Sequence, residues 1–336
     1  MGPQTLPMYW HVPGLTPGTT YYWRIDEVEA GGATVHAGDI WSFTAQALTA
    51  YYPDPADGAV DASTTPNLTW LPGQFTAQHH VYFGSSLDAV SQGTADTDKG
   101  TRESADANFA PGILETLTTY YWRVDETTAD GILRSGPVWS FTTCLPVDDF
   151  ESYTDEVGQR IFQTWIDGFG YTEPTVVPGN GTGATVGYTE PPFAEQTIVH
   201  SGKQSMPMDY NNVNSPFYSE AVRDFTPAQD WTVNDVNGLV LCVRGLATNA
   251  AAPLYVAVVD ASQEVGMAVH PDPAVVTTTK WINWKIPLSV FTDAGVDMAR
   301  VKKIYIGVGD KTDPKEDGTG RIYIDDIRLV RPVPAK

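Results

Sequence analysis

The residues best suited to chemistry here are aromatic rings interleaved with amides, carboxylates and guanidinium groups. The clearest run is "MDYNNVNSPFYSEAVR", where Tyr210, Phe217 and Tyr218 sit among Asp209, Asn211, Asn212 and Arg223. Flat rings can stack on pyranose faces while amides and Arg hold the hydroxyls, so this mixture suits a sugar. "WIDGFGYTEP" adds Trp165, Phe169 and Tyr171, and a turn-rich stretch adds Tyr188 and Phe193. In "KWINWKIPL", strand alternation places Trp281 with Asn283 and Lys285, and Trp284 with Ile282 and Ile286. Trp284 is therefore expected in the core and Trp281 at the surface. The candidate ligand-binding residues are Tyr210, Asn211, Tyr218, Arg223, Trp281, Trp165 and Tyr188. For each ring taken singly, a place in the core is the competing explanation.

Catalytic patterns are missing. Asp209, Glu190, Glu195, Glu220 and Asp260 show no spacing that singles out a glycosidase-type carboxylate pair. There is no HExxH, no nucleophile elbow and no phosphate-cradling Gly loop. His200 and His270 occur singly, and His79 and His80, adjacent on a strand, point to opposite faces and cannot share an ion. No catalytic residue is assigned, and an enzyme is not expected. "GDKTDPKEDGTGR" has spaced acidic residues but not the EF-hand pattern, and reads as a solvated hairpin loop.

The elements that must position these residues are strands. The chain has 336 residues, enough for two or three domains, and 42% hydrophobic content, enough to fill ordinary cores. Ten Trp and 16 Tyr, broken by 25 Pro and 30 Gly, read as many short strands with turns. Only "DAGVDMARVKK" suggests a turn or two of helix. The 41 acidic against 20 basic residues leave a formal charge of -21, which argues against nucleic acid and anionic membrane surfaces as partners. No run approaches the about 20 apolar residues of a membrane-spanning helix. "MGPQTLPMYW" lacks the pattern of a signal peptide. Cys144 and Cys242 fall in what read as different domains, so a disulfide is not implied.

The chain also repeats itself. "LTPGTTYYWRIDEV" from Leu15 returns as "LETLTTYYWRVDET" from Leu114, and "DIWSFTA" returns as "PVWSFTT", so Trp41 matches Trp139. Upstream of the second copy run the strands "TTPNLTWLPG" and "HHVYFGSS". This order of a Trp strand, a Leu-x-x-x-Thr-x-Tyr strand and a final Trp-Ser-Phe strand resembles the fibronectin type III fold over residues 50–144. The resemblance implies a spacer domain, with Tyr120 or Tyr121 at a tyrosine corner. The first copy, residues 1–46, holds only the last strands of such a domain, which takes about 100 residues. Half a sandwich exposes its inner face and its strand edges. The expectation is a truncated domain from the C-terminal part of a longer protein, or one completed by strands from another molecule.

Residues 147–332 have a different texture and no internal repeat. "KQSMPMDYNN", "YSEAVRDF", "GLVLCVRGL", "PLYVAVVDA", "WINWKIPL", "KKIYIGVG" and "RIYIDDIRLV" are strand candidates, consistent with an antiparallel jelly roll. The segment opens with "DDFES", closes with "YIDDIRL" and carries "HSGKQSM" between them. The trio resembles the jelly-roll carbohydrate-binding modules of the galactose-binding-like superfamily, above all families four, eleven and twenty-two. That resemblance implies polysaccharide binding and a structural calcium. Glu151 and Asp326 would be side-chain ligands, Asp149 a helper, and Ser201 and Lys203 sources of backbone oxygen. Calcium takes about six to eight oxygens, and acidic groups gathered at a seam repel without a cation. Alternation lets only one of Asp325 and Asp326 point at a given site. The long insert Thr172 to Pro192 departs from these families, so their sugar site does not carry over.

The sequence reads as an all-β chain: a partial type III-like domain over 1–46, a complete one over 50–144 and a jelly roll over 147–332. The expected function is non-catalytic polysaccharide binding in a larger secreted bacterial protein, extracellular or at the cell surface. A second reading is a structural surface or matrix protein that forms fibres through protein contacts, including self-assembly through the incomplete N-terminal domain.

Overall fold

Short runs of β-branched and aromatic residues, broken by Gly, Pro, Asn and Asp, form strands nearly throughout, as the all-β expectation holds. The computed structural model describes residues 14–32 and 34–331. Residues 1–13 of the 1–46 segment and residue 332 of the 147–332 domain lie outside the described residues. Two units are present, one of residues 14–114 with 118–141, the other of residues 115–117 with 142–331.

In the first unit, β1 (Thr20–Arg24) and β2 (Ile40–Thr44) form an antiparallel ribbon with Trp23 opposite Trp41 and Tyr21 opposite Phe43. Then come β3 (Tyr51–Asp54), β4 (Ala59–Ala62), β5 (Leu68–Leu71), β6 (Thr76–Gly84), β7 (Asp98–Glu103), β8 (Asn108–Phe109), β9 (Thr119–Thr128) and β10 (Val138–Thr143). One sheet runs β8-β5-β3 and the other β4-β10-β9-β6-β7. Trp70, Val81, Phe83, Trp122, Val124, Trp139 and Phe141 fill the core of these strands. His79 is fully buried, with Nδ1 3.1 Å from Glu126. His80 points the other way and meets Asp98 at 2.8 Å.

The second unit holds β11 (Leu145–Asp148), β12 (Trp165–Ile166), β13 (Thr185–Val186), β14 (Met206–Asn211), β15 (Ser219–Gln229), β16 (Gly238–Arg244), β17 (Leu254–Asp260), β18 (Val265–Val269), β19 (Ile282–Pro287), β20 (Val301–Val308) and β21 (Thr319–Val330). One sheet runs β13-β14-β21-β16-β19, with β11 paired to β21, and the other β12-β15-β20-β17-β18. Alternation turns Met206, Met208, Leu239, Leu241, Ile322 and Ile324 of the first sheet inward, toward Ala221, Val256, Val258, Ile304 and Ile306 of the second. Every strand proposed for this region is present. β18 escaped the sequence reading because Gly266 interrupts its short apolar run, a glycine that packs closely against Phe291.

The two sheets are tied by one buried carboxylate. Asp148, at the end of β11, accepts hydrogen bonds from the Phe150 amide (2.9 Å), the Tyr153 hydroxyl (2.6 Å) and Trp165 Nε1 (2.8 Å). Arg223 of β15 closes an ion pair at 2.5 Å and also donates to the Val147 carbonyl at 2.9 Å. Burying a charge costs free energy unless it is paired and hydrogen-bonded, and here every contact serves that end.

Two expectations change. Cys144 and Cys242 both belong to the second unit, where they are buried and form no disulfide. "GDKTDPKEDGTGR" is not a hairpin loop, because β20 and β21 lie in different sheets and the segment crosses between them. Asp148 itself is buried at the polar centre of this unit. Asp148→Ala strands Arg223 without its partner, and chemical denaturation should register a loss of about 3–5 kcal/mol for this unit. A loss below about 1 kcal/mol, the scale of an exposed pair, would contradict that role.

Candidate functional site

Strand register on the outer face of the β12-β15-β20-β17-β18 sheet brings together a carboxylate, an ammonium and three phenols. Glu220 and Tyr255 flank Gly307 on neighbouring strands. A Cβ on Gly307 would lie 2.1 Å from Tyr255 Cζ, so only a glycine lets this ring cross the middle strand. Crossing it, the Tyr255 hydroxyl donates to Glu220 Oε2 at 2.8 Å. Burial, and then the Glu220 charge, raise the Tyr255 phenol, which stays a protonated donor.

Lys311, on the crossing segment, reaches back to both Glu220 oxygens at 2.9 and 2.8 Å. Its ammonium lies 5.0 Å from the Tyr305 ring centre and 5.5 Å from that of Tyr218. Tyr305 is on the outer face because Ile304 and Ile306 face the core. The insert holds the strand backbone at this point. Asn180 Nδ2 and Thr182 Oγ1 donate to the Glu220 carbonyl at 2.7 and 3.2 Å, and the Glu220 amide donates to Thr182 Oγ1 at 3.0 Å. Glu220 is almost fully buried, while Tyr218, Tyr305 and Lys311 remain partly exposed. The result is two accessible ring systems around a fixed charged pair.

The seven sequence candidates do not form one site. Tyr218 belongs to this face. Tyr210 is a correction: it is 2% exposed, points inward and lies over Gly320, so its ring is core. Trp165 is likewise a correction, fully buried with its indole N–H on Asp148. Arg223 is committed to Asp148 and the Val147 carbonyl, and Asn211 is exposed at the end of β14 with Oδ1 accepting from the Val213 amide. Tyr188 and Trp281 serve the other sheet. Arg321 stacks over the Tyr188 ring at 4.9 Å and is itself held by Asp209 at 2.6 and 2.8 Å. Trp281 packs edge-on against His200. Glu220, Tyr255, Tyr305 and Lys311 were missed as a group, because their proximity depends on pairing across β15, β20 and β17. The visible signal was Tyr255 and Tyr305 at outward positions of otherwise apolar strands.

A second polar cluster surrounds the turn from His200 to Gln204. Glu151 Oε1 accepts from the amides of Lys203 (2.8 Å) and Gln204 (3.1 Å). Asp325 accepts from those of His200 (2.9 Å) and Ser201 (3.3 Å). Asp326 takes His200 Nδ1 at 2.6 Å and the Ser201 hydroxyl at 3.0 Å. Both aspartates thus reach the same turn, contrary to simple alternation, because Asp326 has φ of +48° and the strand pairing shifts register at this point. Asp149 caps the Glu151 amide, and the turn offers its carboxylates the amides, not the carbonyls, of Ser201 and Lys203. Burial, and then Asp326, push Asp325 up to about 7. The crowding is between Asp325 and Asp326, and it is the kind of deficit that a cation relieves. Beside Asp326, ligand atoms of His200 and Cys242 come within 4.8 Å of its carboxylate and of each other, adding nitrogen and sulfur donors.

No protein-family model matches this chain, and no curated protein does. Solved structures do superpose on it. One, described under the promiscuous specificity of carbohydrate-binding modules from the beta-sandwich superfamily, is 12% identical with a TM-score of 0.41, covering 84% of this chain and 97% of that one. A family 11 carbohydrate-binding module from Clostridium thermocellum, in complex with a beta-1,3-1,4-mixed-linked tetrasaccharide, is 15% identical with a TM-score of 0.36, covering 57% and 97%. The agarase AgWH50C is 9% identical with a TM-score of 0.36, covering 56% of this chain and 26% of its own.

The Tyr188 cluster generates a pH test. Burial works to raise Glu195, but hydrogen bonds from Thr197, Tyr188 and the Ile198 amide outweigh it and hold the carboxyl down to about 2. A lowered folded-state value adds stability that is complete above the ordinary 4.5 and disappears as pH falls toward 2. Replacing Glu195 by Gln should flatten the stability curve between about pH 5 and pH 2, read by denaturant titration. An unchanged acid limb would mean Glu195 is as acidic unfolded as folded.

Proposed function

We propose that the second unit is a non-catalytic polysaccharide-binding module whose ligand lies on the outer face formed by Tyr218, Glu220, Tyr255, Tyr305 and Lys311. The carrying observation is the Glu220–Lys311 pair fixed between partly exposed tyrosine rings. Sugars need apolar ring faces beside a few fixed donors and acceptors, and both are preorganised there. The first unit serves as a spacer, supported by its type III-like repeat and its sheets β8-β5-β3 and β4-β10-β9-β6-β7. In this reading the chain works outside the cell or at its surface, within a larger secreted bacterial protein.

The test is depletion of the protein from solution by a panel of plant, algal and microbial polysaccharides. Retention on one polymer should weaken by about tenfold or more in Lys311→Ala and in Tyr305→Ala, the scale of a lost hydrogen bond to a charged group or a lost ring contact. Tyr188→Ala should leave retention unchanged. If no polymer retains the protein, the reading fails. Retention that tracks Tyr188 and ignores Lys311 would move the site to the other sheet.

A structural calcium is part of the same proposal, with Glu151 and Asp326 as its carboxylates and Asp149, Ser201 and Lys203 around the turn. It supplies cross-linking charge and takes no part in recognition. Chelation should lower the melting temperature while polysaccharide retention in the cold persists. A melting temperature indifferent to calcium would remove the ion from the account. Stabilisation by zinc alone, lost in Cys242→Ser, would assign the position to His200, Cys242 and Asp326 instead.

A further inference from the structure

The β1–β2 ribbon repeats, contact for contact, a face that the rest of its unit buries. Trp23 and Trp41 meet at 4.5 Å between ring centres, and their counterparts Trp122 and Trp139 at 4.6 Å. Tyr21 and Phe43 stand 5.8 Å apart, Tyr120 and Phe141 5.9 Å. The environments differ completely. Trp122, Trp139 and Phe141 are 0%, 6% and 1% exposed, whereas Trp23, Trp41 and Phe43 are 42%, 49% and 43% exposed. An open apolar face of this kind marks an interaction surface.

The second copy also displays what covers such a face. Trp70 of β5 packs 6.0 Å from Trp122. Phe83 of β6 stacks 5.2 Å from Tyr120 and 6.4 Å from Phe141, with Phe109 of β8 against it at 5.8 Å. Along the edge, β6 pairs with β9, with Gly84 opposite Tyr121 and Val81 opposite Val124. Among the described residues, β1 pairs with β2 alone, so its other edge is open where β9 has β6.

We infer that the Trp23, Trp41 and Phe43 face is the docking surface for a partner polypeptide patterned like residues 51–109, the N-terminal half of a repeat of this kind. Its β6-like strand adds to the open edge of β1, and its tryptophan, in the place of Trp70, closes over Trp23 and Trp41. Backbone pairing supplies the edge contact and the ring pocket supplies register. This inference is independent of the sugar-binding reading, since no residue of the Glu220 face takes part.

The experiment extends the full chain at its N-terminus with a second copy of residues 47–112 and compares it with the parent. Amide exchange in Thr20–Arg24 should slow by about a hundredfold or more, as an edge strand becomes a central one. Acrylamide quenching of tryptophan should fall. Both effects should vanish when the added copy carries the equivalent of Trp70→Ala, or when Trp23→Asp is placed in the extended chain. Exchange and quenching equal to those of the parent would overturn the inference. So would a parent chain that dimerises in sedimentation with Trp23 and Trp41 protected, because the occupant would then be a second copy of the ribbon. Polysaccharide retention should be the same in every variant.

Discussion

The second unit depends on a single buried carboxylate. Asp148 ends β11 in one sheet, while Trp165 and Arg223, which it holds, belong to the other. Apolar packing alone brings two sheets face to face but leaves their offset loosely specified. An ion pair with three added hydrogen bonds is satisfied in one arrangement only, so it selects that offset among many of similar apolar burial. Because β12 and β15 are placed by this contact, the height of Glu220 in β15 is placed with them. The binding face thus takes its geometry from a charge on the far side of the core.

The outer face shows how much a glycine can decide. Tyr255, Glu220 and Lys311 come from β17, β15 and the segment after β20, and they meet because Gly307 leaves the middle strand bare between them. Lys311 then does two things at once. It neutralises a carboxylate that burial would otherwise penalise, and it places a cation above two phenol rings. The same side chain contributes to stability and shapes the surface offered to a ligand.

The repeat, the strand-rich class and most long strands of the second unit, β18 excepted, were legible in the sequence, because alternation and turn residues act locally. "RIYIDDIRLV" reads as a strand from its own residues. The candidate site was less legible for two physical reasons. Tyr210 and Trp165 look like surface rings beside polar neighbours, yet which face turns inward depends on pairings with β21 and β15 that no local pattern encodes. Lys311 lies in a stretch so polar that solvation is the natural reading, and its role appears only when β20 and β21 part into different sheets. Asp326 marks a third limit, since its left-handed backbone breaks the alternation on which the reading of "YIDDIRL" rested.

The pairing of β11 with β21 has a mechanical meaning. Leu145 lies opposite Leu329, so the chain enters and leaves this unit side by side. Tension applied between those two points does not shear a whole row of hydrogen bonds together. It peels β11 from β21 one bond at a time, the weaker geometry under load, until it reaches Asp148. There the zipper meets an ion pair anchored in the opposite sheet, a latch set three residues inside the point where the pull begins.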